Sequence, residues 1–211
     1  MKDIMQWTLK QVLDKAASSD ATPGGGSVAA LTGSLAVSMV SMVASLTIGK
    51  ERYAGVESQC RNILGKTRSL GAEFENLMKA DMAAFENLMA CFKMPRSSEE
   101  EKQQRQKAVQ EAVKNCIEVP MAIARASVTA LRLAGQVASI GNKNAISDAG
   151  VAVYLADAAL GSALLNVDIN LPMVKDETYA RQVRYDKKEL EQQAAKLKVE
   201  GLKIVNQRLG K

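Results

Sequence analysis

The stretch Ser27-Val28-Ala29-Ala30-Leu31-Thr32-Gly33-Ser34-Leu35-Ala36-Val37-Ser38-Met39-Val40-Ser41-Met42-Val43-Ala44-Ser45-Leu46-Thr47-Ile48 decides the fold. No charge occurs from Ala21 to Gly49. The run is too long for a strand and does not alternate, so it reads as one long helix. Its length would also cross a bilayer. Against that reading, Ser27, Ser34, Ser38, Ser41 and Ser45 recur at spacings that place them on one stripe of small polar residues. Such a stripe admits a close neighbour in water as well as in lipid. No second segment matches the run and no aromatic belt flanks it. The sequence therefore predicts a buried central helix rather than a membrane span. A helix apolar on nearly every side needs cover from several directions. Neighbouring helices and a second subunit would provide it.

Outward from this helix the pattern stays helical. Ile4, Met5, Leu9, Val12, Leu13 and Ala16 are spaced for a first helix over Asp3 to Ala17, broken by Ser18 to Gly26. Ser27 is placed to cap the central helix. Gly49 to Gly55 turns the chain, and a third helix is expected from about Val56 to Cys91. Ser97 and Glu100 suggest a capping box for a fourth. That helix should be kinked or split at Pro120 and end near Gly141. A fifth, Ala- and Leu-rich, runs from about Ser147 to Asn166. A final amphipathic helix runs from about Lys175 to Leu209, with Tyr179, Val183, Leu190, Ala194, Leu197 and Val205 on one side. The predicted class is all-α: one domain over residues 1–211, a bundle of long helices around the central apolar one, dimerising.

Composition limits the chemistry. Hydrophobic residues make up 47% of the 211, enough for a core, and aromatics only 4%, which favours close-packed helices over sheets. There is no histidine. That excludes a Ser-His-Asp triad, a Cys-His pair and a His-ligated zinc. Cys60, Cys91 and Cys116 are far apart and form no CxxC, so they read as reduced core thiols of a cytoplasmic protein, with no metal site. The net charge is +5, and Lys175 to Lys211 holds ten basic against six acidic residues. The charges are mixed and lack interleaved aromatics, so no nucleic-acid partner is expected. A modest positive field does suit an anionic small molecule.

Four features could carry chemistry. With Leu70 as origin and about 100° per residue, Phe74 falls at about 40°, Leu77 at about 340°, Met78 at about 80°, Phe85 at about 60° and Leu88 at about 0°. Asp81 falls at about 20°, in the middle of this apolar face. A carboxylate there is either a structural group bonded to a neighbouring helix or an acid–base group whose pKa burial raises. The second feature is Gly24-Gly25-Gly26-Ser27, which bares amides at a helix N-terminus where anions bind. It lacks the GK[ST] ending of a phosphate loop, and a turn with a serine cap explains it equally well. The third is the polar cluster Asn142, Asn144, Ser147 and Asp148, able to cap the fifth helix or to bind a ligand rich in hydrogen-bonding groups. The fourth is Asn166 with Asn170, for which helix capping is the simpler account.

Together these segments resemble the cyclodeaminase/cyclohydrolase family of folate enzymes. The resemblance rests on Pro23-Gly24-Gly25-Gly26-Ser27-Val28-Ala29-Ala30, Leu46-Thr47-Ile48-Gly49-Lys50, Asp81-Met82-Ala83-Ala84-Phe85, Asn144-Ala145-Ile146-Ser147-Asp148-Ala149-Gly150-Val151 and Asn166-Val167-Asp168-Ile169-Asn170-Leu171. It spans about Asp3 to Asp176 and does not separate the family's two activities. It implies a helical subunit that dimerises and binds folate in a cleft between helices. It further implies that Asp81 is catalytic and that Gly24, Gly25, Gly26, Ser27, Lys50, Asn142, Asn144, Ser147, Asp148, Asn166 and Asn170 bind substrate. One departure is Asp168, which stands where many members carry a basic residue. The expected activity is methenyltetrahydrofolate cyclohydrolase, with formiminotetrahydrofolate cyclodeaminase as the alternative. The expected partner is a folate with one or more glutamates in its tail, with no further cofactor. A non-catalytic helical assembly protein, using the serine stripe and leaving Asp81 without a ligand, is the reading from a different class.

Overall fold

Some of the helices begin where a side chain caps their first amides, and others begin without one. In the structure, a computed structural model describing residues 4–210, the α-helices are α1 (Leu9–Ala16), α2 (Gly25–Ser45), α3 (Glu57–Phe92), α4 (Glu99–Ile140), α5 (Ile146–Asn170) and α6 (Glu177–Leu209). No strand occurs among the described residues. α1 starts later than its apolar spacing suggests. Asp3 lies outside the described residues, Ile4–Gln6 is a 3-10 turn, and a Thr8/Gln11 capping box opens α1 at Leu9. No residue of α1 is buried, and Leu9 and Leu13 are exposed. The box on α4 is Ser98/Glu101, one residue beyond the expected pair, because the run Ser97-Ser98-Glu99-Glu100-Glu101 fits both registers. Ser27 does not cap α2. Gly24 does so without a side-chain bond, leaving Ser27 in the first turn with its hydroxyl free for another partner.

The helix surrounded by the others is α4, not α2. α4 packs on α2, α3, α5 and α6. From Ala112 to Ala138 its buried residues are interrupted on the outside by Asn115, Glu118, Arg125, Thr129, Arg132 and Gln136, a narrow polar stripe at helical spacing. α2 packs on α3, α4 and α5 and keeps one exposed side. α2 and α5 run antiparallel: Gly25 meets Asn166 at one end, and Thr47 meets Asn142 at the other. The serine stripe borders α3, where the Ser41 hydroxyl donates to Thr67 Oγ1 at 2.8 Å. Close approach is required at Gly33, where an added Cβ would stand 2.3 Å from Cε1 of the fully buried Phe74. Burying that ring contributes about 1.5–3 kcal/mol, so glycine here lets α2 and α3 share it.

Pro120 neither splits nor ends α4, which continues to Ile140. A proline inside a helix removes the bond to the carbonyl four residues back, here that of Cys116. Asn170 Nδ2 from α5 donates to this carbonyl at 3.2 Å. The missing donor is thus replaced from another helix.

Two stretches, Gly25–Ser45 and Lys143–Met173, are long and apolar enough by length and composition to cross a membrane. The charge-free run in the sequence points only to the first. Half of the most apolar part of each stretch is buried within the chain. Each exposed side carries apolar residues, Val28 and Leu35 on α2 and Val151, Tyr154 and Leu165 on α5, interspersed with Ser38 and Ser45 on α2 and Ser162 and Asp168 on α5.

Candidate active site

Asp81 reaches the first turn of α2. Its Oδ2 accepts the Ser27 hydroxyl at 2.7 Å, and the Ser27 amide also bonds the carboxylate. The carboxylate lies directly on the helix backbone, so that a Cβ on Gly26 would stand 2.0 Å from Oδ1. Burial raises the pKa above the ordinary 3.8, and the two Ser27 bonds oppose that shift. The result is a carboxyl held in place whose neutral form persists to higher pH than usual. The positive end of α2 keeps the ionised form accessible. Such a group can both take and give a proton.

Asp81 lines a cavity of about 270 Å³ between α2, α3, α4 and α5. Gly24, Gly25 and Gly26 form one wall, Asn166 and Asn170 another, and Phe85 and Cys116 close it. Of the residues expected to bind substrate, the structure therefore assembles Gly24, Gly25, Gly26, Asn166 and Asn170 around Asp81, with Ser27 behind the carboxylate. Lys50, Asn142, Asn144, Ser147 and Asp148 sit near the opposite end of α2, roughly 30 Å away for a helix of this length. There the Asn142 amide donates to Thr47 Oγ1 at 2.8 Å and its side chain to Leu46 O at 3.0 Å. The Lys143 amide donates to the Tyr53 hydroxyl at 2.9 Å. Asn142 also accepts from the Asn144 amide. This cluster fastens the α4–α5 turn to the end of α2 and does not meet the Asp81 cavity within one chain. Asp168 is outside the cavity as well, held by Lys187 of α6 at 2.7 Å.

Cys116 was legible only as a core thiol. All three cysteines are free and buried, but Cys116 also faces the cavity. Burial first, and then the charge of Asp81, push its thiol up to about 11. A thiol that stays protonated is no nucleophile at neutral pH, so Cys116 serves as an uncharged wall beside the carboxylate. Its one sequence signal is its place four residues before a proline in a helix.

Known proteins share the sequence pattern and the fold of this chain. A family model described as formiminotransferase-cyclodeaminase matches residues 8–189. The chain is 41% identical over 175 residues to the methenyltetrahydrofolate cyclohydrolase of Methylorubrum extorquens, covering 83% of this chain and 84% of that protein. It is 30% identical over 183 residues to the formimidoyltransferase-cyclodeaminase of Sus scrofa, a match that takes in 87% of this chain and 34% of that protein. The chain thus spans about a third of that longer relative. Among solved structures, formiminotetrahydrofolate cyclodeaminase from Thermotoga maritima superposes with a TM-score of 0.87 at 31% identity, covering 96% of this chain and 98% of that one.

Proposed function

The chain belongs to the formiminotransferase-cyclodeaminase family, and from that premise we propose that it hydrolyses 5,10-methenyltetrahydrofolate to 10-formyltetrahydrofolate. The observation that carries this reading is a single carboxylate, raised in pKa and fixed by Ser27, on the wall of a cavity at a helix N-terminus. The similarity to the Methylorubrum cyclohydrolase supports the same direction.

The chemistry fits one movable proton. The bridge carbon between N5 and N10 shares a positive charge with both nitrogens, so it is already electrophilic. Ionised Asp81 attracts that cation and takes a proton from the attacking water. The tetrahedral intermediate then breaks its bond to N5, which receives the proton back from Asp81. One proton of the water ends on N5 and the other leaves to solvent. The substrate supplies its own electrophile, so the reaction calls for no group beyond the folate. Purified protein should accelerate the loss of methenyltetrahydrofolate absorbance well above the buffer rate; a rate equal to buffer sinks the proposal.

The likeness to the Thermotoga cyclodeaminase favours a second reading, in which N10 of 5-formiminotetrahydrofolate attacks the formimino carbon and ammonia leaves. Asp81 would serve that step by the same proton transfer. Ammonia release from the formimino substrate, with no effect on methenyltetrahydrofolate, would select it.

The exposed apolar stripes of α2 and α5 are the natural seat for a second copy of this chain. Two copies packed antiparallel along α2 would bring the Lys50 end of one to the Gly25 end of the other. Light scattering should then give a mass of two subunits, and Leu35→Glu should lower both the mass and the activity. A monomeric parent of full activity would refute the dimer.

A further inference from the structure

The amide of Asn170 is fixed by an unusual demand. Pro120 leaves the Cys116 carbonyl without its helical donor. Asn170 Nδ2 meets that carbonyl at 3.2 Å and the Asn166 carbonyl at 2.7 Å. Both partners only accept, so the nitrogen must face them and both of its hydrogens are engaged. Oδ1 remains. No donor among the described residues reaches it, and no buried side-chain oxygen or nitrogen there lacks a partner, so Oδ1 is open to solvent or ligand. Asn166, one turn earlier, is oriented in the same sense: its Nδ2 donates to the Ser162 carbonyl at 2.8 Å while its amide lies against Gly25. Both asparagines line the cavity that holds Asp81.

We propose that Asn170 is a specificity residue, locked by the carbonyl that Pro120 leaves unpaired, and that it presents Oδ1 as a fixed acceptor to an N–H of the reduced pterin. The inference rests on the folate reading above. A free asparagine can turn to offer either a donor or an acceptor. A locked one offers only the acceptor, and it selects ligands that bring a hydrogen. The 2-amino group, N3 and N8 of a tetrahydropterin all do so. Because the amide is ordered before the ligand arrives, no rotamer freedom is lost on binding.

The competing account is that Asn170 merely replaces the missing donor. Pro120→Ala separates the two, since it gives α4 its own N–H for the Cys116 carbonyl. Asn170→Ala alone should lower the melting temperature, and adding Pro120→Ala should recover that loss. The KM of the double variant should stay about tenfold above that of Pro120→Ala, the worth of one neutral hydrogen bond. Its kcat should change little, as expected for lost uniform binding. A KM within twofold of that of Pro120→Ala overturns the proposal. Asn170→Asp gives a second test, since it keeps an acceptor and removes both donors. It should melt lower than the parent yet hold KM well below that of Asn170→Ala, and equal KM values for the two overturn the proposal. Activity of the parent on either folate substrate reports separately on the functional reading.

Discussion

Asp81→Asn is expected to remain folded and to lose about 10²- to 10⁴-fold in kcat, the usual contribution of a positioned acid–base group. Asparagine keeps the shape of the carboxylate and an oxygen for the Ser27 hydroxyl, so packing against Gly26 is preserved. The sign of the stability change follows from the pKa. In the folded chain the value lies above the ordinary 3.8 because burial disfavours the charge. A group raised in this way contributes stability in its neutral form, below the unfolded pKa. That contribution is lost as pH rises through the folded pKa. At neutral pH the ionised Asp81 is therefore a net cost to folding, and the Asp81→Asn variant should melt at the parent temperature or above it. The parent should also show an acid limb in kcat/KM displaced upward from 3.8, which the variant lacks. Parent-level turnover in Asp81→Asn would remove the carboxylate from the mechanism.

Gly26→Ala should be nearly as harmful to catalysis. The new methyl group would stand 2.0 Å from Oδ1, 2.6 Å from Cγ and 2.9 Å from Oδ2 of Asp81. The carboxylate is a terminal group bordering a cavity, so it is the part that moves. A displacement of about 1 Å at a reacting group can cost on the order of 10²-fold in rate. Alanine is otherwise a better helix residue than glycine by about 0.5–1 kcal/mol, which offsets part of the strain and keeps the fold. Gly71→Ala is the control, because it lies on α3 with Asp81, outside the cavity, and its Cβ would meet nothing within 4 Å. Kinetics beside thermal melts decide the point: equal kcat values for the two alanine variants would show that the close approach at Gly26 does not hold the carboxylate.

Much of the fold was legible because helix periodicity is a local property. The charge-free run from Ala21 to Gly49, the apolar side of α6 and the breakers at Gly24 to Gly26 and Gly141 each mark helix and boundary without knowledge of a neighbour. Two of the readings that failed involved partners distant in the chain. Ser27 fits a cap by local rules, yet its hydroxyl is used by Asp81, 54 residues away. Pro120 should break a helix, yet Asn170 supplies the missing donor from 54 residues beyond Cys116. The central place of α4 is visible in its narrow polar stripe once all four of its neighbours are known.

The sequence by itself determined the helical class, the exclusion of histidine chemistry and the placing of one carboxylate on an apolar face, since composition and a period of about 3.6 residues settle these. The tertiary structure alone decided which polar residues meet that carboxylate. The glycine turn, Asn166, Asn170 and Cys116 converge on Asp81, while Asn142 and its neighbours fasten the far end of α2. The physical reason is the antiparallel packing of α2 and α5, which brings together residues that no local pattern connects.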